Sequence, residues 1–155
     1  MTFAIAPLPP GRRHLLAPLL EAYAAEMRET LAGSRPAGGT EAAALLAADP
    51  RTEVLCATDG GDVVAFAIFF DLPEAVFARR CGALDDLFVR ADRRGQGLAR
   101  RMIDALLGLG RARRWSHLRW IVPEGDRAAI ALYERIAERA DWRSYVIRLD
   151  PAASL

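Results

Sequence analysis

The stretch from Ala83 to Arg113 constrains this chain more than any other. A strand pattern over about Ala83–Val89 runs through Arg90-Ala91-Asp92-Arg93-Arg94-Gly95-Gln96-Gly97 into an amphipathic helix of about Leu98–Arg113. Leu98, Met102, Ala105, Leu106 and Leu109 fall on one face of that helix. A strand that feeds a helix returns to the sheet as a parallel neighbour. The next strand pattern, His117–Val122, is the segment placed to do so. The chain therefore needs an α/β architecture with at least one parallel pair.

The remaining elements fill in around that unit. Phe3–Pro7 reads as a weak first strand. Arg12–Glu29 reads as a helix, with Leu16, Leu19, Leu20, Tyr23 and Met27 on one face, and Pro18 is best tolerated in its first turn. Gly33–Gly39 is a breaker-rich loop, and Thr40 suits the N-cap of a short helix ending near Asp49-Pro50. Thr52–Ala57 and Val63–Phe70 are strands around the hairpin turn Asp59-Gly60-Gly61-Asp62, and the second is apolar on both faces and so central. Leu72–Cys81 reads as a connection to the third long strand. Asp126 caps a helix of about Arg127–Arg139, and a last strand covers about Arg143–Leu149. The order β-α-α-β-β-β-α-β-α-β predicts one domain over 1–155, with a mixed sheet flanked by helices.

Composition narrows the function classes. Basic and acidic residues number 21 and 20, so the charge favours no nucleic-acid partner. The longest apolar run has eight residues, far short of a bilayer span, and no leader pattern opens the chain, so a cytoplasmic location and no membrane partner are expected. Cys56 and Cys81 alone make neither a disulfide framework nor a zinc site, so both are expected as free thiols and no metal is expected. Every basic residue is Arg, and the chain has neither Lys nor Asn, so a position where chemistry favours Asn has to carry a substitute.

The glycines after the long strand admit two readings. They serve only a tight turn, or they let backbone N–H groups converge on an anion at a helix N-terminus. Arg93, Arg94 and Arg100 would add charge-assisted contacts to a pyrophosphate. Neither a P-loop nor a dinucleotide fingerprint fits the spacing. Arg94-Gly95-Gln96-Gly97-Leu98-Ala99 does resemble the Gln/Arg-x-x-Gly-x-Gly/Ala motif of the GNAT superfamily of acyl-CoA-dependent N-acetyltransferases. Leu84-Asp85-Asp86-Leu87-Phe88-Val89 is similar to the family's preceding strand, and Ala129-Ile130-Ala131-Leu132-Tyr133-Glu134 to its later helix. The resemblance covers about 62–149 by motif and the N-terminal part by element order.

That resemblance implies an acetyl-CoA co-substrate in a V-shaped gap between the splayed strands Ala83–Val89 and His117–Val122. Pantetheine would pair with backbone at Leu87, Phe88 and Val89, and the pyrophosphate would rest on the amides of Arg94, Gly95, Gln96, Gly97, Leu98, Ala99 and Arg100. It implies Tyr133 as the acid that protonates the departing sulfur, against a plain core role on the face shared by Ala129, Ile136 and Ala140. Asp126 stands where the family has a pantetheine-binding Asn, although an ionised Asp cannot donate and suits an N-cap.

An alkylamine of pKa about 10.4 needs roughly 4–5 kcal/mol to be neutral near pH 7, so a base is required. Asp85, directly or through water, is the candidate, with substrate-cation binding or a bridge to Arg79 or Arg80 as the alternative. Strict alternation sends Asp85 and Asp86 to opposite faces unless a bulge intervenes. Asp86 and Glu124 are candidate binders of a second ammonium, and these acids together with Trp142-Arg143 resemble the diamine and polyamine branch. The expected partner is a small amine, with aminoglycosides, amino acids and peptide N-termini as alternative acceptors and an acyl-CoA-binding regulatory module as the non-enzyme alternative. His14, His117, Tyr23 and Cys81 read as structural or exposed. Dimers are common in the family, and an edge strand near the C-terminus is compatible with a homodimer.

Overall fold

The computed structural model describes residues 2–30 and 37–149. Five strands lie in the order β1-β2-β3-β4-β5: β1 (Ala4–Pro7), β2 (Glu53–Asp59), β3 (Asp62–Glu74), β4 (Arg79–Val89) and β5 (Trp115–Arg119). The first four are antiparallel neighbours and β5 runs parallel to β4. The mixed sheet expected from the sequence is therefore present. β3 takes the middle place that its two apolar faces require, with Ala67 and Phe69 in one core layer and Phe66 and Ile68 in the other.

Helices cover both faces. A 3-10 segment, Pro10–Leu16, leads into α1 (Ala17–Thr30), so Pro18 does lie in the first turn of the regular helix. Together with α2 (Gly39–Ala48), α1 covers the layer around Leu16, Leu19, Leu20, Phe66 and Phe88. On the other face, α3 (Leu98–Ala112) buries Leu98, Met102, Ile103 and Leu106. α4 (Arg127–Ile136) joins that layer through Tyr133 and Ile136.

Several expectations are corrected. Thr40 is not the cap of α2: the helix begins at Gly39, whose N–H donates to Glu21 Oε2 at 2.6 Å. A Cβ on Gly39 would stand 2.1 Å from the Ala17 carbonyl oxygen, so the first residue of α2 has to be bare where it crosses α1. Leu72–Cys81 is mostly strand, because β3 and β4 meet in a tight turn at Ala75–Ala78. α4 stops at Ile136 rather than Arg139. The last strand, Arg143–Leu149, is absent: those residues have no regular structure and all are exposed, since no neighbouring strand supplies their backbone partners. The loop Gly33–Gly39 falls largely outside the described residues.

One buried arginine ties the N-terminal segment to the sheet. Arg13 donates from Nη1 to the Leu46 carbonyl and from Nη2 to the Thr52 carbonyl at 2.5 Å. Burial lowers its pKa, with Glu53 and Asp49 opposing that shift.

Candidate active site

β4 and β5 pair only at their beginnings. The last matched residues are Ala83 and Arg119, after which β5 ends and β4 continues to Val89. A wedge therefore opens between Leu84–Val89 and the chain after Arg119. Arg90 donates its N–H to the Val64 carbonyl at 2.9 Å, which fixes the phase of the ladder. By alternation Phe88 spends its backbone groups on β3, while Val89 and Leu87 turn theirs toward the wedge. Of the three residues expected to pair with pantetheine, Leu87 and Val89 are so oriented and Phe88 is not. The Val89 carbonyl already accepts from Arg94 Nε at 2.9 Å.

The loop beyond β4 has the form an anion needs. Gly95 and Gly97 have φ of 74° and 73°, a left-handed conformation that side-chain-bearing residues avoid. Nothing lies within 4 Å of where a Cβ would project from either. Arg94 N–H closes the preceding 3-10 turn on the Ala91 carbonyl at 3.3 Å and is therefore spoken for. The first helical bond is Arg101 N–H to the Gly97 carbonyl at 3.1 Å. Among the described residues no backbone acceptor serves the amides of Gly95, Gln96, Gly97, Leu98, Ala99 and Arg100. The leading donors of α3 are thus left for a ligand.

The arginines around this loop are committed to carboxylates. Arg93 pairs with Asp59 at 2.9 Å and Asp92 at 2.7 Å. Arg100 pairs with Asp104 at 3.0 Å. Arg94 reaches Glu26 of α1 at 2.6 Å and lies over the Phe88 ring at 5.3 Å. Their contribution to a pyrophosphate site requires exchange of these partners, whereas the amides need none.

The two acids of β4 are brought together by a bulge. Ile68 pairs with Asp86 and Phe69 with Leu84, so Asp85 is the extra residue. Leu84 and Leu87 then both join the α3 layer, and Asp86 turns to the α1 face with Phe88. Tyr23 Oη donates to Asp86 Oδ1 at 2.7 Å, and its ring packs on Phe66 and Phe88 with centroids 5.7 and 5.4 Å away. Burial, opposed by the Tyr23 hydrogen bond and joined by the adjacent Asp85 carboxyl, raises the Asp86 pKa to about 6. Burial and the Asp86 charge hold the Tyr23 phenol well above its ordinary range, so it remains a donor. The strict-alternation expectation thus gives way to its bulge exception. Asp85 itself is exposed, and the bridge to Arg80 does not form, because Arg80 pairs with Asp71.

Tyr133, on α4, stands close enough to Tyr23 for their ionised forms to repel. Its ring meets Trp120 edge-on at 5.2 Å, and burial, then the Asp126 charge, raises its pKa. Asp126 caps α4 by accepting from Ala129 N–H at 3.1 Å. Glu124 lies in the exposed turn before α4, and no contact among the described residues ties it to the acids of β4. Cys56 and Cys81 are free and buried, and burial raises the Cys56 thiol. Tyr23 is the residue whose role sequence reasoning undervalued. Its place on an apolar stripe suggested packing, but a half-buried tyrosine hydroxyl needs a partner, and only a polar residue on the facing strand could supply one.

A wedge between parallel strands, closed at one end by an amide-lined helix start, is the site that the GNAT resemblance implies for an acyl-CoA. The acetyltransferase (GNAT) family model matches residues 17–137, and the chain belongs to that family of N-acetyltransferase enzymes, whose co-substrate is acetyl-CoA. The crystal structure of a ribosomal-protein-alanine N-acetyltransferase from Brucella melitensis biovar Abortus 2308 is 38% identical, with a TM-score of 0.86 over 96% of this chain and 100% of that one. An aminoglycoside acetyltransferase, HMB0005, from an uncultured soil metagenomic sample is 25% identical, with a TM-score of 0.77 over 97% and 100%. An integron cassette protein from V. cholerae shares the fold at 18% identity and a TM-score of 0.83 over 98% and 95%. No curated protein matches the chain. Among the described residues, no helix is long and apolar enough to cross a membrane.

Proposed function

We propose that the enzyme moves an acetyl group directly onto the primary amine of a small cationic acceptor, such as a di- or polyamine, with Asp86 as general base and Tyr133 as general acid. The observation that carries this reading is the Asp85–Asp86 pair beside Tyr23, at the edge of the wedge.

The free amides of Gly95–Arg100 suit a pyrophosphate, and the wedge-facing backbone of Leu87 and the N–H of Val89, whose carbonyl Arg94 already holds, suit the pantetheine amides. Acetyl-CoA bound there supplies the activated thioester. The remaining work falls to the chain. Asp86, with a pKa of about 6, is ionised near pH 7 yet retains enough proton affinity to take a proton from an ammonium, directly or through one water. Asp85 gives the entering cation a second carboxylate beside that of Asp86. Tyr23 holds the Asp86 carboxylate in place. Tyr133 keeps its proton until a thiolate, with pKa about 8.5 in water, develops beside it. The burial that raises the phenol also raises the proton affinity of a thiolate formed there. Asp126 serves as cap to the helix that carries Tyr133, in place of the Asn that the family resemblance implied.

A second acceptor class has its own support. The 38%-identical structure carries the name of a ribosomal-protein-alanine N-acetyltransferase, so a peptide beginning with alanine belongs in the same test. Release of free thiol from acetyl-CoA is measured against polyamines, aminoglycosides and alanine-initiated peptides. Turnover highest on a di- or polyamine supports the proposal. Turnover confined to the peptides replaces the acceptor while leaving the acid and base roles intact.

A further inference from the structure

We infer that Glu26 of α1 is a positioning residue that restrains acetyl-CoA binding: it holds the Arg94 guanidinium on the Val89 carbonyl, and the thioester has to displace that side chain to pair fully with β4. The inference rests on the reading that the wedge holds acetyl-CoA and is independent of which amine accepts the acetyl group. Arg94 makes three contacts. Its Nε donates to the Val89 carbonyl at 2.9 Å, its Nη2 donates to Glu26 Oε1 at 2.6 Å, and its guanidinium lies over the Phe88 ring, 5.3 Å from the centroid. The first of these uses an acceptor that alternation turns toward the wedge. A pantetheine amide reaches the Val89 N–H as it stands, but it gains the carbonyl only when Arg94 leaves. Arg93 and Arg100 obstruct nothing comparable, because their partners are Asp59, Asp92 and Asp104.

Glu26 follows Tyr23 by one turn of α1, so both lie on one face of that helix. Tyr23 holds Asp86 and Glu26 holds Arg94, and α1 is thereby tied to the wedge strand and to the loop after it. The Arg94 and Glu26 side chains are 45% and 46% exposed, and an ion pair that open to water is weak and readily exchanged. A pyrophosphate offers the same guanidinium a stronger, bidentate partner. Arg94 adjoins Gly95, the first of the free amides, so its side chain stays within reach of an anion held there. The exchange moves the guanidinium from carboxylate to phosphate and opens the Val89 carbonyl to a pantetheine N–H. A contact made only in the unloaded state is subtracted from the affinity of the loaded one, which is how Glu26 acts.

The test measures acetyl-CoA binding to the full-length chain by titration calorimetry, with no acceptor amine present. Glu26→Gln keeps the side-chain length and removes the charge. Its Kd is expected to fall about two- to five-fold below the parent value at low salt, and the two values should converge as salt rises. Loss of a negative charge near an anion site would tighten binding by itself, so the same substitution is also made in an Arg94→Met background. There the tightening should vanish, a coupling that the double-mutant cycle reads directly. Arg94→Gln replaces Arg94→Met if the latter does not fold. Equal tightening in both backgrounds, or a Kd that Glu26→Gln leaves unchanged or raises, would overturn the inference. Hydrogen exchange on the parent separates this failure from a deeper one. Protection of the Gly95–Arg100 amides by acetyl-CoA, with no effect of Glu26→Gln, rejects the restraint and leaves the wedge as the binding site. No protection of those amides removes the wedge reading and the restraint together.

Discussion

Asp86 sits where two requirements conflict, and its proton is the measure of both. A carboxylate with an unfolded pKa of about 3.9 and a folded value of about 6 binds its proton more tightly in the folded state. Its contribution to stability is therefore full below about pH 4 and is lost as pH rises through 6. If Asp86 is the base, activity climbs over the same interval, because the ionised form does the work. Asp86→Asn should then lower kcat by about 10²-fold or more and abolish the acid limb of the pH–rate profile. The same variant should gain in melting temperature relative to the parent between pH 5 and pH 8, a comparison made by calorimetry. Tyr23→Phe removes the bond that favours the charged carboxyl, so the acid limb of kcat/KM should move to higher pH. Tyr133→Phe should reduce kcat by about 10²-fold while acetyl-CoA binding, read by titration calorimetry, stays within a few-fold.

At the level of elements, the strand–loop–helix unit was the most legible part of the chain because backbone geometry there depends on residue type. Gly95 and Gly97 adopt the positive φ that their side-chain-free chemistry allows, and the stripe from Leu98 to Leu106 packs as its period requires. Gly97→Ala should strain the turn by about 1–2 kcal/mol, lower the urea midpoint accordingly and weaken acetyl-CoA binding. The pairing of Asp85 with Asp86 was less legible. Whether two adjacent acids share a face depends on one bulge against Phe69, and a bulge leaves no compositional mark. The commitments of Arg93 to Asp59 and of Arg94 to Glu26 were equally hidden, since their partners lie 34 and 68 residues away. Arg143–Leu149 shows the opposite failure. Its pattern does read as a strand, but a pattern does not supply the edge a strand must pair with, and in the structure these residues have no regular structure.

Across the whole molecule, order is distributed unevenly, and the uneven part carries the acid. The layers on the two faces of β2–β4 hold the fully buried side chains, while Tyr133 rides on a helix whose apolar residues are half-covered. Local opening follows burial, so the amides of β3 and β4 should exchange at the global limit and those of α4 much sooner. If acetyl-CoA bound in the wedge holds α4 through Tyr133, the protection of that helix must depend on ligand concentration by mass action. Hydrogen exchange followed by mass spectrometry should show α4 slowing as acetyl-CoA concentration rises. Equal α4 protection with and without acetyl-CoA would leave the acid on a helix that stands without help from the ligand.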